Sequence, residues 1–535
     1  MFQIKGNLLL VLHAHLPYIH HPDFEEFLEE RWLFEAITET YIPLIKVFKS
    51  LEKDQIPFKL TISFSPPLIE MLTSNSLQAK YLKHLSKLIE LSEKEVQRTK
   101  NENWKKWQTA IHYRQEFIDA MEIYYDQYSQ NILKAFKEFQ DKGYIEVITC
   151  NGTHSYLPFY KEYPEAIRAQ LKVAISTFEK NFGKRPRGMW SAECAYFDGL
   201  DKYFREEKIE YFFVDSHAFL YASPPPRYGV YRPVITPNGV FVFARDPESS
   251  EQIWSSEVGY PGDPRYREFY KDIGFEREEE YIKPYIDKSG TRCNTGIKYY
   301  RVTDKSLPLD KKELYDLKEA KEAAKEHSKD FILKKMSQVE RLTSGLENQI
   351  PIIVAPFDAE LFGHWWYEGP MFLEQLFRIL AENDYLETHT PSEILDTIEN
   401  VQIVTPAESS WGAQGYHDVW LNFSNSWIYR HIYEITERMI WWANTFENPS
   451  TLERRILNQM AREVLLVQSS DWPFIMTTNT TVEYAKMKIN NCVNRFLELE
   501  KMLKEGKINE QKLRYYEWVD GIFKDLDYQI FSSNY

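Results

Sequence analysis

The segment "IPIIVAPFDAE" (residues 350–360) is apolar almost throughout and then ends in acidic residues. A run without alternation of apolar and polar residues is typical of a strand that is buried on both faces of a parallel sheet. The run delivers Asp358 at its carboxyl end. We therefore expect a buried parallel strand whose last residues reach a site.

Six other short runs share this design, because each is apolar and each ends in polar or charged residues. They are "NLLLVLHAH" (7–15), "FKLTISFS" (58–65), "YIEVITCNGTH" (144–154), "RGMWSAE" (187–193), "EYFFVDSH" (210–217) and "GVFVFARD" (239–246). In α/β barrels the active site lies at the carboxyl ends of the parallel strands. The seven runs together predict an α/β barrel with its reactive side chains at one end.

The segments between and after these runs predict the domain organisation. Charged segments with helical spacing predict a helical insertion at about 70–142, and a loop-rich, then helical, excursion is expected at about 247–345. From about residue 424 onward, four helical patterns follow one another without a strand. We expect a catalytic barrel over 1–405 and a helical domain over 406–535 that contributes to the cleft.

Bulk composition excludes several partners. The 535 residues carry a net charge of −15, whereas nucleic acid is normally bound by a basic surface. The first apolar run is broken by His13 and His15, and no run approaches the roughly 18 apolar residues of a membrane helix. Four scattered cysteines fit a reducing compartment. The sequence therefore predicts a cytoplasmic protein that binds neither nucleic acid nor membrane.

The high content of Trp, Tyr and Phe fits a carbohydrate binder or an aromatic-rich core equally well.

Two carboxylates stand at strand ends, Glu193 and Asp358. A strand end positions a side chain through the backbone, as a nucleophile or an acid requires. Aromatic neighbours and a nearby anion both raise the pKa of a carboxyl group. One carboxyl of ordinary pKa and one of raised pKa form the pair that cleaves glycosidic bonds.

A second interpretation concerns metal binding. His13 and His15 form an HxH pattern on the first strand, which places both imidazoles on the same inward face. Metal-dependent amidohydrolases begin this way, and His154 and His217 could add ligands. The fourth strand, however, supplies Glu193 and not a bridging Lys. The alternative is that these imidazoles bind sugar hydroxyls.

Five segments resemble a known family when they are taken in order. These are "HAHLPY" (13–18), "EVITCNGTHSYLP" (146–158), "WSAECAY" (190–196), "PFDAELFGHWWYEGP" (356–370) and "ESSWGAQGYHDVWL" (408–421). They resemble the five signature regions of glycoside hydrolase family 57, including its α-1,4-glucan branching enzymes and amylases. The resemblance covers essentially the whole chain.

The resemblance implies a fold, a reaction and site residues. The fold would be an α/β, incomplete (β/α)7 barrel with helical insertions and a C-terminal all-α domain. The reaction would be a retaining double displacement with Glu193 as nucleophile and Asp358 as acid/base. It would need neither a metal nor a cofactor. The resemblance places around the cleft His13, His15, His154 and Trp411.

Three aromatic residues complete the expected site. Trp365 and Trp420 are predicted to contact the α-glucan substrate, and Tyr231 is predicted as the tip of a short lid over residues 223–240. The prolines of this lid would limit its closure over the cleft. The expected activity is therefore α-1,4-glucan branching with notable hydrolysis. The alternatives are an α-amylase, a 4-α-glucanotransferase and an inactive glucan-binding protein.

Overall fold

The protein is described by a computed structural model, which covers residues 5–255, 258–347 and 349–534. Nine strands form one sheet. They are β1 (Gly6–Ala14), β2 (Leu60–Phe64), β3 (Ile145–Cys150), β4 (Gly188–Trp190), β5 (Tyr211–Val214), β6 (Val234–Ile235), β7 (Phe241–Ala244), β8 (Ile352–Asp358) and β9 (Leu386–Thr388). All seven apolar runs predicted as strands form strands of this sheet, namely β1 to β5, β7 and β8.

These seven strands are parallel and adjacent in the order β7-β5-β4-β3-β2-β1-β8. The register pairs His13 of β1 with Ser63 of β2 on one side and with Asp358 of β8 on the other. The carboxyl ends of the strands therefore meet at one end of the curved sheet, where the polar residues that follow the apolar runs come together.

The barrel is incomplete. The sheet ends at β8 on one side, and on the other side the short β6 pairs antiparallel with β7. The backbone N–H of Asp246 donates a hydrogen bond of 2.8 Å to the carbonyl of Val354, so the gap between β7 and β8 is bridged locally. β9 pairs with the start of β1. The predicted incomplete seven-stranded barrel is confirmed.

Helices cover the outside of the sheet and form the insertions. Those before the C-terminal region are α1 (Glu30–Ala36), α2 (Ile42–Lys53), α3 (Pro66–Leu72), α4 (Asn75–Thr99), α5 (Trp104–Met121), α6 (Leu133–Asp141), α7 (Pro164–Phe182), α8 (Leu200–Glu206), α9 (Ser216–Leu220), α10 (Pro247–Trp254), α11 (Ile273–Glu276), α12 (Glu279–Ile282), α13 (Leu317–Thr343), α14 (Gly369–Ala381) and α15 (Pro391–Leu395). The side chains of Ser74 and Asn103 cap α4 and α5 by accepting from free backbone N–H groups.

The C-terminal region is helical. It comprises α16 (Tyr429–Thr445), α17 (Thr451–Val467), α18 (Asp471–Thr478), α19 (Val482–Glu505) and α20 (Glu510–Val519). These are five helices in the described residues, where the sequence predicts four helical patterns. The difference is α18, which has only 8 residues and is too short to show a helical period. The boundary between residues 405 and 406 stays a prediction.

Two further expectations concern location. Within the described ranges, no helix is both long enough and apolar enough to cross a membrane. The cysteines at 150, 194, 293 and 492 are all free and buried.

Candidate active site

A cavity of about 510 Å³ lies at the carboxyl ends of the strands. Most of the residues predicted for the site line it, namely His13, His15, His154, Glu193, Asp358, Trp365 and Trp411. The topology therefore brings together the strand ends of β1, β3, β4 and β8, as well as one residue from the 408–421 segment. Tyr231 and Trp420 are not among its lining residues.

Glu193 occupies a strained position just after β4. It lies in the short turn Ala192–Cys194 with φ 62° and ψ 21°, and Cys194 also has a positive φ of 51°. Left-handed backbone is unfavourable for residues other than glycine and is concentrated at functional sites. The backbone N–H of Trp411 donates a hydrogen bond of 3.0 Å to the Glu193 carbonyl. This bond ties the strained turn to the 408–421 segment.

The Glu193 carboxylate accepts one hydrogen bond on each oxygen. Trp411 Nε1–H donates to Oε2 at 2.8 Å, and the Ser470 hydroxyl donates to Oε1 at 2.9 Å. Burial raises the pKa of Glu193, and these two hydrogen bonds act in the opposite direction. Donors aimed at a carboxylate stabilise its ionised form. The net shift of the Glu193 pKa is upward, and the two donors reduce it while they fix the positions of both carboxylate oxygens.

Asp358 has a different environment at the end of β8. Burial raises its pKa well above the ordinary value, and the charges of Glu360 and Glu193 raise it further, whereas Arg245 opposes the shift. Among the described residues, no side chain or backbone group donates a hydrogen bond to its carboxylate. Both carboxyl groups have raised pKa values, but the pKa of Asp358 is raised well above its ordinary value and only Glu193 has donors that favour its ionised form. Asp358 is therefore the better candidate for the protonated group of the pair.

A chain of hydrogen bonds leads from β2 to Oε1 of Glu193. His13 Nδ1 lies 3.2 Å from Ser63 Oγ, and His13 Nε2 lies 2.9 Å from His154 Nε2. His154 Nδ1 lies 2.8 Å from Ser470 Oγ. The effect of this hydrogen-bond chain on Glu193 depends on which atom of each pair carries the proton.

When Glu193 is ionised, as a nucleophile requires, these proton positions are fixed. Ser470 must donate to the carboxylate, so it accepts from Nδ1–H of His154. Nε2 of His154 then accepts from Nε2–H of His13, whose Nδ1 accepts from the Ser63 hydroxyl. Burial lowers the pKa of both His13 and His154 well below the ordinary value, which agrees with two neutral imidazoles.

His15 is held beside this chain. Its Nδ1 bonds to Ser65 Oγ at 2.7 Å, and its Nε2 lies 3.0 Å from Oδ2 of Asp471. Its ring stacks on His154 with 3.6 Å between centroids. Burial would raise the pKa of Asp471, but the charge of His15 and their hydrogen bond outweigh it and leave that pKa lowered. The hydrogen bonds to Ser65 and Asp471 therefore orient the His15 ring, which stacks on His154.

The partners of the histidine nitrogens can be compared with what a metal site would require. Two groups at the cavity have ligand atoms within 4.8 Å of one another, namely His13 with Cys150 and His154, and His15 with His154 and Asp471. Each of the six imidazole nitrogens already has a protein partner in the network described above. His217, the fourth candidate ligand, belongs to neither group. Its ring instead contacts Tyr221 and Tyr416.

The adjacent residues Trp365 and Trp366 face opposite ways. Trp365 is 55% exposed, lines the cavity and stacks on Phe269 with 4.6 Å between ring centroids. Trp366 is only 2% exposed and packs in the core against Phe372. The two residues follow the short turn Ala359–Leu361. Their side chains point in opposite directions, as those of neighbouring residues in an extended strand do.

The predicted substrate contact of Trp420 is wrong for this structure. Its ring is 1% exposed and stacks on Tyr156 with 4.5 Å between centroids. A buried indole leaves no face for a sugar. Trp420 also packs against Gly412, where an added Cβ would approach its ring to 2.6 Å. It therefore supports the loop that carries Trp411.

The predicted lid position of Tyr231 is also corrected. Residues Gly229–Tyr231 form a short turn at the sheet edge, and the Tyr231 hydroxyl accepts a hydrogen bond of 3.4 Å from Nε2 of Gln338 in α13. Gln338 in turn donates to the buried carboxylate of Asp246 at 2.8 Å. Tyr231 thus belongs to a packing network outside the barrel and not to the roof of the cleft.

Several cavity residues escape the sequence prediction. Asp471 and Phe474 line the cavity from α18, and Ser470, which directly precedes that helix, reaches the site through its hydrogen bond to Glu193. The polar pair before Pro473, directly after the apolar end of α17, is the signal that could have indicated them. Arg245 lines the cavity from the end of β7, where it pairs with Asp215 at 2.9 Å. Trp254 and Glu360 complete the lining.

Two protein-family models and a curated relative match this chain. The family model described as "Glycosyl hydrolase family 57" matches residues 9–406, and that of "1,4-alpha-glucan branching enzyme, C-terminal" matches residues 431–531. A 1,4-alpha-glucan branching enzyme of Thermococcus kodakarensis is 34% identical over 98% of this chain and 78% of that protein.

Solved structures give the same result. The α-amylase AmyC of Thermotoga maritima is 55% identical with a TM-score of 0.93, and the two chains cover 99% of each other. The family 57 branching enzyme of Pyrococcus horikoshii is 35% identical with a TM-score of 0.89, over 99% of this chain and 98% of that one. The resemblance is confirmed, and the chain belongs to glycosyl hydrolase family 57.

Proposed function

We propose that the protein is an α-1,4-glucan branching enzyme that also hydrolyses part of its substrate. The observation that supports this proposal best is the pair formed by Glu193 and Asp358. Both carboxyl groups line one cavity; two donors favour the ionised form of Glu193, and burial favours the protonated form of Asp358. This is the assignment that a retaining glycosidase needs.

The first half of the reaction cleaves an α-1,4 bond. Glu193 attacks the anomeric carbon, while Asp358 gives its proton to the departing glycosidic oxygen. The departing chain leaves with a new 4-hydroxyl, and the other part remains as a β-linked ester on Glu193. Because Glu193 is already oriented, the reaction does not incur the entropic cost of positioning the nucleophile.

The second half resolves the ester. The charge of Glu193 is one cause of the raised pKa of Asp358, and the ester removes that charge. The pKa of Asp358 then falls, so this carboxylate can accept a proton from the incoming hydroxyl. A glucan 6-hydroxyl yields an α-1,6 branch, whereas water yields a shorter glucan. The exclusion of water decides between these products.

A second candidate function is that of an α-amylase, and a specific observation favours it. The predicted lid does not line the cavity, because Tyr231 is bound to α13. An uncovered ester is exposed to water. The relative at 55% identity is itself described as an α-amylase. A 4-α-glucanotransferase would share the chemistry with a 4-hydroxyl as acceptor.

We also propose the setting of this activity. The free, buried cysteines of the described residues fit a reducing cytoplasm. A branching activity there would act on a storage glucan and contribute to glycogen synthesis. A catalytically inactive glucan-binding protein is disfavoured because both carboxyl groups of the reaction line the cavity.

The catalytic pair is tested with amylose. Glu193→Gln and Asp358→Asn should abolish both the loss of iodine staining and the release of reducing ends. Glu382→Gln, at an exposed position, serves as the control and should retain wild-type activity. Near wild-type turnover in either catalytic variant would contradict the assignment.

A further inference from the structure

Two exposed tyrosine rings flank His217 near the cavity. The ring centroids of Tyr221 and Tyr416 lie 4.7 and 4.5 Å from that of His217. The two tyrosines are 62% and 47% exposed. Among the described residues, neither phenol hydroxyl has a protein hydrogen-bond partner. Together they form an aromatic platform, defined here as His217, Tyr221 and Tyr416, whose function the packing of the protein does not explain.

The backbone places this platform rigidly. Gly415 has a φ of +79° and lies so close to His217 that an added Cβ would stand 2.5 Å from Cγ of the imidazole. Only glycine allows both this conformation and this approach. The Asp215 carboxylate accepts a hydrogen bond of 3.1 Å from the His217 backbone N–H, which caps α9. The position of the imidazole under the two rings is therefore fixed from both sides.

The neighbouring residue His417 anchors the other side of the loop. Its Nδ1 bonds to the Tyr156 hydroxyl at 2.7 Å, and its Nε2 lies 2.9 Å from Glu408. These contacts hold the loop against the protein without using the Tyr416 side chain. The exposed Tyr416 ring is thus available on a fixed support and loses little conformational entropy when it binds a ligand.

The platform is continuous with the catalytic cavity through one hairpin. The Ser410 backbone N–H donates to the Gly415 carbonyl at 2.9 Å, so residues 410–415 close a tight turn. Trp411 in this turn lines the cavity and donates a hydrogen bond to Glu193. Tyr416 is the first residue after the turn. One turn therefore links the cavity wall at Trp411 to the platform at Tyr416.

The chemistry of the surroundings selects a neutral, hydroxyl-rich ligand. The nearby charges are paired with each other, Asp215 with Arg245 at 2.9 Å and Glu408 with His417 at 2.9 Å. Aromatic faces attract the C–H faces of sugars, and free phenol hydroxyls can bond to sugar hydroxyls. An anionic ligand would find no unpaired cation in this arrangement.

We propose that the platform is a remote subsite that binds glucose units of an α-1,4-glucan whose scissile bond lies in the cavity. This inference rests on the proposed function, because the occupant is the substrate proposed above. It implies that long chains bind more tightly than chains too short to reach from the cavity to Tyr221 and Tyr416. Chain-length preference is then set partly outside the catalytic centre.

The experiment measures binding without turnover. In the Glu193→Gln protein, isothermal titration calorimetry gives the Kd of maltotriose and of a longer oligosaccharide such as maltoheptaose or maltodecaose. Adding Tyr221→Ala and Tyr416→Ala should weaken the longer ligand by about tenfold, the loss expected for one good stacking contact, and leave maltotriose unchanged. Tyr221→Phe with Tyr416→Phe keeps the rings and should retain most of the affinity.

A matched control and the contradicting outcomes complete the test. Tyr125→Ala removes another exposed tyrosine from the helical insertion and should change neither affinity. Equal affinity of the double Ala variant and its parent for the longest ligand would overturn the subsite. Absence of any maltooligosaccharide binding by the Glu193→Gln protein would overturn the proposed function as well, so the two failures are distinguishable.

Discussion

The hydroxyl of Ser470 donates a hydrogen bond of 2.9 Å to Oε1 of Glu193 across 277 residues of sequence. Ser470 directly precedes the short helix α18 in the C-terminal region, whereas Glu193 follows strand β4 of the barrel. The orientation of the proposed nucleophile thus depends on both parts of the chain. The barrel alone would leave one oxygen of this buried carboxylate without its donor.

Ser470→Ala should move the acid limb of the pH–activity profile to higher pH. The hydroxyl favours the ionised form of Glu193, so its loss raises the pKa of that carboxyl group. A hydrogen bond to a charged group contributes about 1.5–3 kcal/mol, and we expect a loss of about 10- to 100-fold in kcat/KM near neutral pH.

The matched variant for this prediction is Ser470→Thr, which keeps the hydroxyl and should restore the wild-type profile. A loss of activity in Ser470→Ala with an unshifted acid limb would show that Ser470 acts only on packing.

Asp358→Asn should lower kcat by about 10²- to 10⁴-fold, the usual contribution of a general acid, and raise the thermal stability at neutral pH. Burial raises the pKa of Asp358 in the folded protein. The native state therefore binds more protons than the unfolded state between the two pKa values, and stability falls as pH rises through that window. The amide side chain of the variant does not ionise, so this loss of stability at neutral pH is removed.

Differential scanning calorimetry at about pH 7 and about pH 4 tests the sign, because the unfolded carboxyl group is ionised at the higher pH and about half protonated at the lower one. The gain in Tm should be larger at the higher pH. A Tm that falls equally at both pH values would contradict the pKa shift of Asp358.

Removal of divalent metals should leave the activity unchanged. The ring nitrogens of His13, His15 and His154 are all engaged with protein partners in a hydrogen-bond network. Dialysis against EDTA followed by an amylose assay and metal analysis of the protein checks this expectation. Activity that disappears and returns with added Zn²⁺ would make these histidines ligands.

Tyr231→Phe should change stability and not product distribution. The phenol oxygen accepts from Gln338, and such a hydrogen bond contributes about 0.5–1.5 kcal/mol to the free energy of unfolding. Tyr228→Phe, in the same loop and bonded to Glu347 at the surface, is the control and should have a smaller effect. A fall in branching at constant hydrolysis would return Tyr231 to the role of a lid.

The sequence predicted what depends on local pattern. The continuous apolar runs gave the seven parallel strands, because such strands are buried on both faces. Their polar ends indicated Glu193, Asp358 and the histidines, since parallel strands deliver their carboxyl ends to one edge. Trp365 was predicted at the cleft, and its half-exposed ring lines the cavity, whereas the adjacent Trp366 is buried.

What the sequence could not give depends on contacts between distant segments. The donor Ser470 and the acceptor Asp471 lie beyond a long helix, and no periodicity links them to the barrel. Tyr231 and Trp420 lie in loop-like segments whose composition suits both an exposed contact and a packed one. Their burial is set by α13 and Tyr156, which only the folded chain places against them.

The central claim is that one glucosyl-enzyme intermediate is shared between a glucan acceptor and water. Proton NMR of a single amylose digest measures it most directly, because α-1,6 linkages and reducing ends are resolved in the same spectrum. The account predicts that both signals grow with wild-type enzyme and that both are absent with Glu193→Gln. Reducing ends without any α-1,6 linkage would contradict the branching assignment and identify the protein as an amylase.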